Sequence, residues 1–483
     1  MTQFSCQLDA ESKPLRHVWN HTVGSGRAAL ALRADWREQM TRTRRELGVE
    51  HVRFHGILCD EMATYIIECD KPVHSFSNAD QIFDFLLSIG MRPFVELSFM
   101  PTALQSGGTT VFKYRANVTP PRDWDGWAAL ITKLVSHWVD RYGIEEVRQW
   151  YFEVWNEPNL GAFWTGTQAD YFKLYQRTVQ AVRDVDAQLR VGGPATADDA
   201  WIDEFLEFCD KNQLPADFVS THHYPTDALG KPGDNTETQL SLAPRNYLRD
   251  RARKAAKQAG DKPVYYTEWC SSSNPFFHRH DEPYAAAFLT KNMLDVVDVV
   301  HGYSWWTFSD IFEENYFSSI PFHGGFGLQT VNGTAKPTYR AMQLLNHLGE
   351  RILDVEGAHA TVNAWVTRKG ADEVCVMLTN HAFPTHAIQS ESICLRLTSV
   401  RKPLKAWVER IDEDHCNPVR AWQAMDSPDF PSAKQLAVLD DASQLRSEPL
   451  EITTHADGFE LQVNLPAHAV AALHITLAAD PAK

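Results

Sequence analysis

A (β/α)8 barrel with an accessory all-β sandwich is the fold that this 483-residue sequence predicts, and three observations predict it. From residue 18 to 348, eight short apolar segments alternate with eight amphipathic helical patterns. No Gly-rich phosphate turn follows the first strand, which counts against the competing doubly wound sheet. Beyond residue 349 the helical period gives way to two-residue alternation with Asp, Gly and Pro between the runs. The expected division is therefore 18–348 for the barrel and 349–483 for the sandwich. Residues 1–17 are expected to join the sandwich, because Phe4, Cys6 and Leu8 alternate before Pro14 and chain ends often lie close together.

Barrel strands are expected at 18–25, 51–57, 92–99, 149–155, 190–193, 217–222, 263–269 and 302–308. Helices are expected at 36–47, 79–89, 124–142, 168–189, 200–211, 244–258, 283–299 and 335–348, with apolar residues three and four apart, as in Ile131, Leu134, Val135 and Trp138. Gly48 and Gly90 stand where two of them should stop, because a left-handed residue is wanted there. Sandwich strands are expected at 361–367, 373–379, 392–400, 405–411, 435–439, 450–454, 459–465 and 469–477, with one short helix at 418–423. Val362, Ala364 and Val366 alternating with Asn363, Trp365 and Thr367 set that pattern.

Composition narrows the function. Acidic residues outnumber basic ones by 62 to 46, a balance that argues against a nucleic-acid partner because nothing would offset phosphate repulsion. No run of apolar residues is long enough to span a membrane, and the first twenty residues lack the apolar core of an export signal. The eight cysteines are scattered without a close pair, which predicts free thiols, a cytoplasmic location and no zinc or iron–sulfur site. No cofactor and no metal are expected. With 15 Trp, 14 Tyr and 25 Phe, the chain has rings both for its core and for a pocket that stacks flat, weakly polar ligands.

In such a barrel the side chains ending the strands converge on one mouth. The fourth strand runs Trp150-Tyr151-Phe152-Glu153-Val154-Trp155 and ends on Asn156-Glu157-Pro158; the seventh runs Val264-Tyr265-Tyr266-Thr267 and ends on Glu268-Trp269. Barrel closure brings these ends to one rim, and two facing carboxylates among aromatics are what glycoside hydrolysis needs. A Glu beside Pro is often only a turn residue, and a lone Glu at a strand end only an ion-pair partner. The two together, each at its own strand end, favour catalysis. Glu153 lies inside the strand and reads as a structural partner for a buried Arg or His. The segment His278-Arg279-His280-Asp281 resembles a metal cluster only superficially, and a loop over the pocket is the better reading.

The chain resembles glycoside hydrolase family 39, and within it the bacterial β-D-xylosidases rather than the α-L-iduronidases. The segments that carry the resemblance include Arg53-Phe54-His55-Gly56, Trp155-Asn156-Glu157-Pro158-Asn159, Ser220-Thr221-His222-His223-Tyr224, Tyr266-Thr267-Glu268-Trp269, Ser304-Trp305-Trp306 and Phe322-His323-Gly324-Gly325-Phe326-Gly327-Leu328. The resemblance implies that Glu157 is the general acid/base, Glu268 the nucleophile and Asn156 the donor to the sugar 2-hydroxyl. It further implies that His222 and Tyr224 serve the pocket, with Tyr224 bonding the nucleophile. His55 and Glu314 would contact distal hydroxyls, Glu313 would share that task, and Trp306 would lie under the sugar ring.

The resulting expectation is a retaining, exo-acting β-D-xylosidase that trims xylose from short xylo-oligosaccharides. α-L-Arabinosidase and β-glucosidase activities are the runners-up, followed by non-catalytic sugar binding. A uronidase is disfavoured, because the matching positions hold Glu and His rather than a cation for the sugar acid. Some family members form tetramers through an extended C-terminus; here the chain runs only six residues past the last expected strand, which predicts a monomer.

Overall fold

The computed structural model describes residues 2–226, 235–315 and 319–479. Eight parallel strands form the barrel: β1 (Thr22–Arg27), β2 (His51–His55), β3 (Arg92–Leu97), β4 (Tyr151–Val154), β5 (Arg190–Thr196), β6 (Phe218–His223), β7 (Val264–Trp269) and β8 (Gly302–Trp305). Neighbours in sequence are neighbours in the sheet. Closure comes from β8 meeting β1, where the Phe308 N–H donates to Gly24 O at 2.9 Å. Eight principal helices cover the outside: α1 (Ala34–Leu47), α2 (Ser77–Ser88), α3 (Trp124–Tyr142), α4 (Gln168–Val185), α5 (Ile202–Lys211), α6 (Tyr247–Ala259), α7 (Pro283–Leu294) and α8 (Pro337–Leu345). Gly48 ends α1 at φ 68°, the left-handed conformation that its place in the sequence implied.

The barrel interior is layered by the two-residue period of its strands. Phe94, Tyr151, Phe218 and Tyr265 form one aromatic layer low in the barrel. Two residues further along the same strands stand Glu96, Glu153, Ser220 and Thr267, all buried. Arg53 lies between His51 and His55 on β2 and is fully buried with them. The polar layer is thus aimed by the aromatic one beneath it.

The β-rich part consists of two sheets. One orders Thr2–Gln7, Glu391–Thr398, Gly458–Leu465 and Ile452–His455. The other orders Lys13–Pro14, Arg351–Leu353, Val362–Lys369, Glu373–Asn380, Ala469–Leu477, Pro403–Ile411 and Ser447–Pro449. Their inner faces share one core in which Phe4, Leu395 and Phe459 meet Val366, Val376 and Leu473. The outer face of the second sheet places Cys375, Met377, Ile411 and Ala472 in the same apolar cluster as Leu344 and Leu345 of α8. Sandwich and barrel are therefore packed through a continuous core.

One expected strand is a helix. Residues 435–439 lie in Ala433–Ala442, which opens on a capping box in which Ser432 and Gln435 bond each other's backbone N–H. Only Leu439 of that helix is fully buried and Val438 is exposed, a one-sided pattern that a short apolar run conceals. Two small hairpins were also not anticipated, Tyr65–Glu68 with Lys71–His74 and Thr110–Val111 with Ala116–Asn117. They build up the loops after β2 and β3.

Candidate active site

Arg53 is the hub of the mouth. Its Nε donates to Glu153 Oε2 at 2.5 Å, Nη1 to Glu268 Oε1 at 2.6 Å, and Nη2 both to Asn156 Oδ1 at 2.9 Å and to Glu96 Oε2 at 2.7 Å. Four of its roughly five N–H donors are committed to the protein. Burial opposes its charge, but Glu153, Glu96 and Glu268 outweigh it and hold the guanidinium firmly protonated. Glu153 is thus the structural partner of a buried Arg, in keeping with its place inside the strand.

Both oxygens of Glu268 accept hydrogen bonds, one from Arg53 and the other from the Tyr224 hydroxyl at 3.0 Å. Such donors stabilise negative charge on it. A bulge sets its position: relative to β6 the register of β7 shifts between Thr221 and His222, so His222 stands beside Glu268. Glu157 follows β4 in a left-handed conformation (φ 44°) that few non-glycine residues adopt, its N–H donating to Ala195 O at 2.8 Å. One oxygen each from Glu157 and Glu268 and one ring nitrogen of His222 lie within 4.8 Å of one another.

A chain of hydrogen bonds fixes the proton on Glu157. Thr267 donates its hydroxyl to Glu153 Oε1 at 2.8 Å, so its oxygen is left to accept from His222 Nε2 at 3.0 Å. Burial lowers the His222 pKa to about 4, so the ring is neutral and Nδ1 carries a lone pair. Glu157 Oε1, 2.9 Å from that nitrogen, must then be the donor. Burial independently pushes the Glu157 carboxyl up to about 7. The two carboxyls are differentiated, one protonated and one held by donors.

The remaining expected residues divide. His55 bonds Glu96 Oε2 through Nδ1 at 2.7 Å, and its Nε2 lies 3.6 Å from both Glu268 and Glu314. Burial opposes its charge, but Glu96, Glu268 and Glu314 raise its pKa to about 9. Burial pushes Glu314 up to about 8 against the opposing charge of His55, and its Oε1 has no hydrogen-bond partner among the described residues. The Trp306 ring is 4.8 Å from that of His55, and it fits because residue 24 is glycine: a Cβ there would stand 2.5 Å from Trp306 Cε3. Glu313 is not brought into this group, its carboxylate being held by Arg27 at 3.0 Å and Arg33 at 2.7 Å. His223 faces the other way, bonding Tyr303 at 2.6 Å and stacking on Tyr266. The 278–281 segment forms a short 3-10 turn pinned to the chain after β8, with His280 bonded to Gly324 O at 2.9 Å and Asp281 to Lys336 at 2.6 Å. Arg53, Glu96 and Thr267 were not singled out from sequence; the signal available was a charged or polar residue two positions after an aromatic or histidine in an inward-facing strand.

Residues 4–458 match the profile of glycosyl hydrolases family 39. The chain belongs to that family. It is 47% identical to a β-xylosidase of Caldicellulosiruptor saccharolyticus over 95% of this chain and 96% of that one. It is 37% identical to a β-xylosidase of Geobacillus stearothermophilus over 88% and 86%. Among solved structures, a monomeric β-xylosidase from Caulobacter crescentus CB15 superposes with a TM-score of 0.86 at 31% identity, covering 99% of both chains. This family 39 chain is thus an enzyme, a glycoside hydrolase related to β-xylosidases.

Proposed function

We propose that this hydrolase is a retaining, exo-acting β-D-xylosidase with Glu157 as acid/base and Glu268 as nucleophile. The observation that carries the reading is the approach of a protonated Glu157 and a donor-held Glu268 to within 4.8 Å. So close an approach of one oxygen from each favours the roughly 5–5.5 Å carboxyl separation of retaining enzymes over the about 6.5–9.5 Å of inverting ones. Glu268 attacks the anomeric carbon while Glu157 gives its proton to the leaving oxygen. Water, deprotonated by Glu157, then attacks the glycosyl–Glu268 ester from the face that the leaving group vacated, releasing xylose with its configuration kept and restoring both carboxyls.

Asn156 has its Oδ1 committed to Arg53, which leaves its amide N–H2 as a donor for the 2-hydroxyl. Glu314, with an unpartnered oxygen, and His55 take distal hydroxyls, and Trp306 packs against the ring. Arg53 has too few donors left to receive a sugar carboxylate, which disfavours a uronide. The names of the two bacterial relatives support xylose as the sugar. Eight free thiols fit a reducing cytoplasm, where short imported xylo-oligosaccharides would be the substrates. By analogy with the Caulobacter enzyme the chain acts as a monomer, and light scattering should give a mass near 54.8 kDa.

The test is kcat/KM for aryl β-D-xyloside, β-D-glucoside and β-D-glucuronide under one condition, with proton NMR of the first-formed sugar. The xyloside should lead and yield β-xylose first. A glucoside equal to it would overturn the sugar assignment, and α-xylose as first product would overturn the mechanism.

A further inference from the structure

A second group of ligating side chains lies far from the mouth, where barrel and sandwich meet. His347 follows α8 of the barrel, Glu409 belongs to the strand Pro403–Ile411, and His474 to the adjacent strand Ala469–Leu477. His347 Nδ1 is 3.2 Å and His474 Nε2 3.1 Å from the same oxygen, Glu409 Oε2. One ligand atom from each of the three lies within 4.8 Å of the others.

Four features favour a metal ion over a plain ion pair. First, the buried His347 Nδ1 and His474 Nε2 converge on the same Glu409 oxygen, so two imidazole nitrogens and one carboxylate oxygen face a common point. Second, ligand atoms about 2.0–2.1 Å from a tetrahedral zinc stand about 3.3–3.4 Å apart, close to the two separations seen here. Third, the ligands are already oriented. Ser447 donates to the other Glu409 oxygen at 3.1 Å, and Trp407 stacks on the His474 ring with centroids 5.1 Å apart. Fourth, the His347 side chain is 41% exposed and borders a cavity of about 300 Å³ with Glu46, Arg340, Asn346 and Gln444, so the cluster lies close to solvent.

We propose that His347, Glu409 and His474 bind one divalent transition-metal ion of the zinc class, clasping the end of the barrel to the sandwich. Two imidazoles and one carboxylate suit zinc, and calcium or magnesium would want more oxygen ligands. The site uses no cysteine, so the scattered thiols do not bear on it.

The test is calorimetric titration of tag-free, chelator-treated chain with zinc chloride. Because Glu157, His222 and Glu268 also cluster, the titration is run in a Glu268→Gln background, which isolates the new site. The expected result is one zinc per chain with micromolar affinity, weakened at least tenfold by His347→Ala, about 1.4 kcal/mol or more. Zinc should raise the unfolding temperature of the parent but not of that variant. In the otherwise native enzyme, His347→Ala should leave xyloside turnover unchanged. His474→Gln, with cobalt substituted for zinc, should lose the visible bands of four-coordinate cobalt; if that variant does not fold, the exposed His347 position still decides the question. Equal zinc affinity in parent and His347→Ala, or no binding at sub-millimolar zinc, would overturn the proposal.

Discussion

Replacing Glu157 with Ala removes a proton whose presence is set by burial. The carboxyl is pushed from 4.5 to about 7, a displacement worth about 3 kcal/mol. At pH 6 a group with a pKa of about 7 is about 90% protonated and one at about 4.5 only about 3%, so burial supplies about 30-fold more competent acid. Proton transfer itself contributes about 10²–10⁴-fold, or about 3–5 kcal/mol, when the leaving group is a sugar. The assay is kcat/KM for xylobiose and for a dinitrophenyl xyloside, each from acid to mildly alkaline pH. In the parent enzyme kcat/KM should fall as pH rises through about 7, because the acid must carry its proton. In Glu157→Ala the xylobiose value should drop by two to four orders of magnitude while the dinitrophenyl xyloside is largely spared. The limb at 7 should vanish from the variant's profile. Azide should rescue the variant and give the β-xylosyl azide. A limb near pH 7 that persists in the variant, or equal losses on both substrates, would refute the assignment.

The same carboxyl should cost stability. Since the folded state binds its proton more tightly than the unfolded chain does, stability declines as pH rises from about 4.5 to about 7 and stays about 3 kcal/mol lower beyond. Glu157→Gln should therefore raise the urea midpoint at pH 8 and hardly change it at pH 4; the reverse order would contradict the burial argument. Arg53→Met leaves Glu96, Glu153 and Glu268 without their shared cation and should cost about 3–5 kcal/mol in a denaturant melt; an unchanged midpoint would show that the hub is dispensable. Gly24→Ala sets a methyl 2.5 Å from Trp306 Cε3, and displacing that ring should cost about 1–3 kcal/mol in a denaturant melt and lower kcat/KM for the xyloside. Unaltered kinetics in that variant would mean that Trp306 does not shape the pocket.

Much of the fold could be read from periodicity, because most barrel strands are short buried runs and the helices between them repeat at three and four. The placement of the two carboxyls was legible for a related reason: Glu157 stands just past the end of β4 and Glu268 near the end of β7, where the topology demands a mouth. What Arg53 does was not legible. Its four acceptors come from residues 96, 153, 156 and 268, and a contact made across the barrel leaves no local trace in any one strand. The helix 433–442 was hidden for the opposite reason: its local signal, the Ser432–Gln435 capping box, was overshadowed by the apolar run Leu436-Ala437-Val438-Leu439. Glu313 and Glu314 are adjacent in sequence, and it is Arg27 and Arg33 that draw Glu313 away while Glu314 stands beside His55.

The N-terminal strand has a consequence for how the chain is made. Thr2–Gln7 pairs in parallel with Glu391–Thr398, Thr2 opposite Ile393. At about 5–20 residues per second, the first strand waits roughly 20–80 s on the ribosome before its partner is synthesised. All eight barrel strands emerge in that interval, so the barrel can close first while Phe4, Cys6 and Leu8 are still without the core they later enter. The sandwich is thus the last part to assemble, and it does so by drawing the beginning of the chain back to its end.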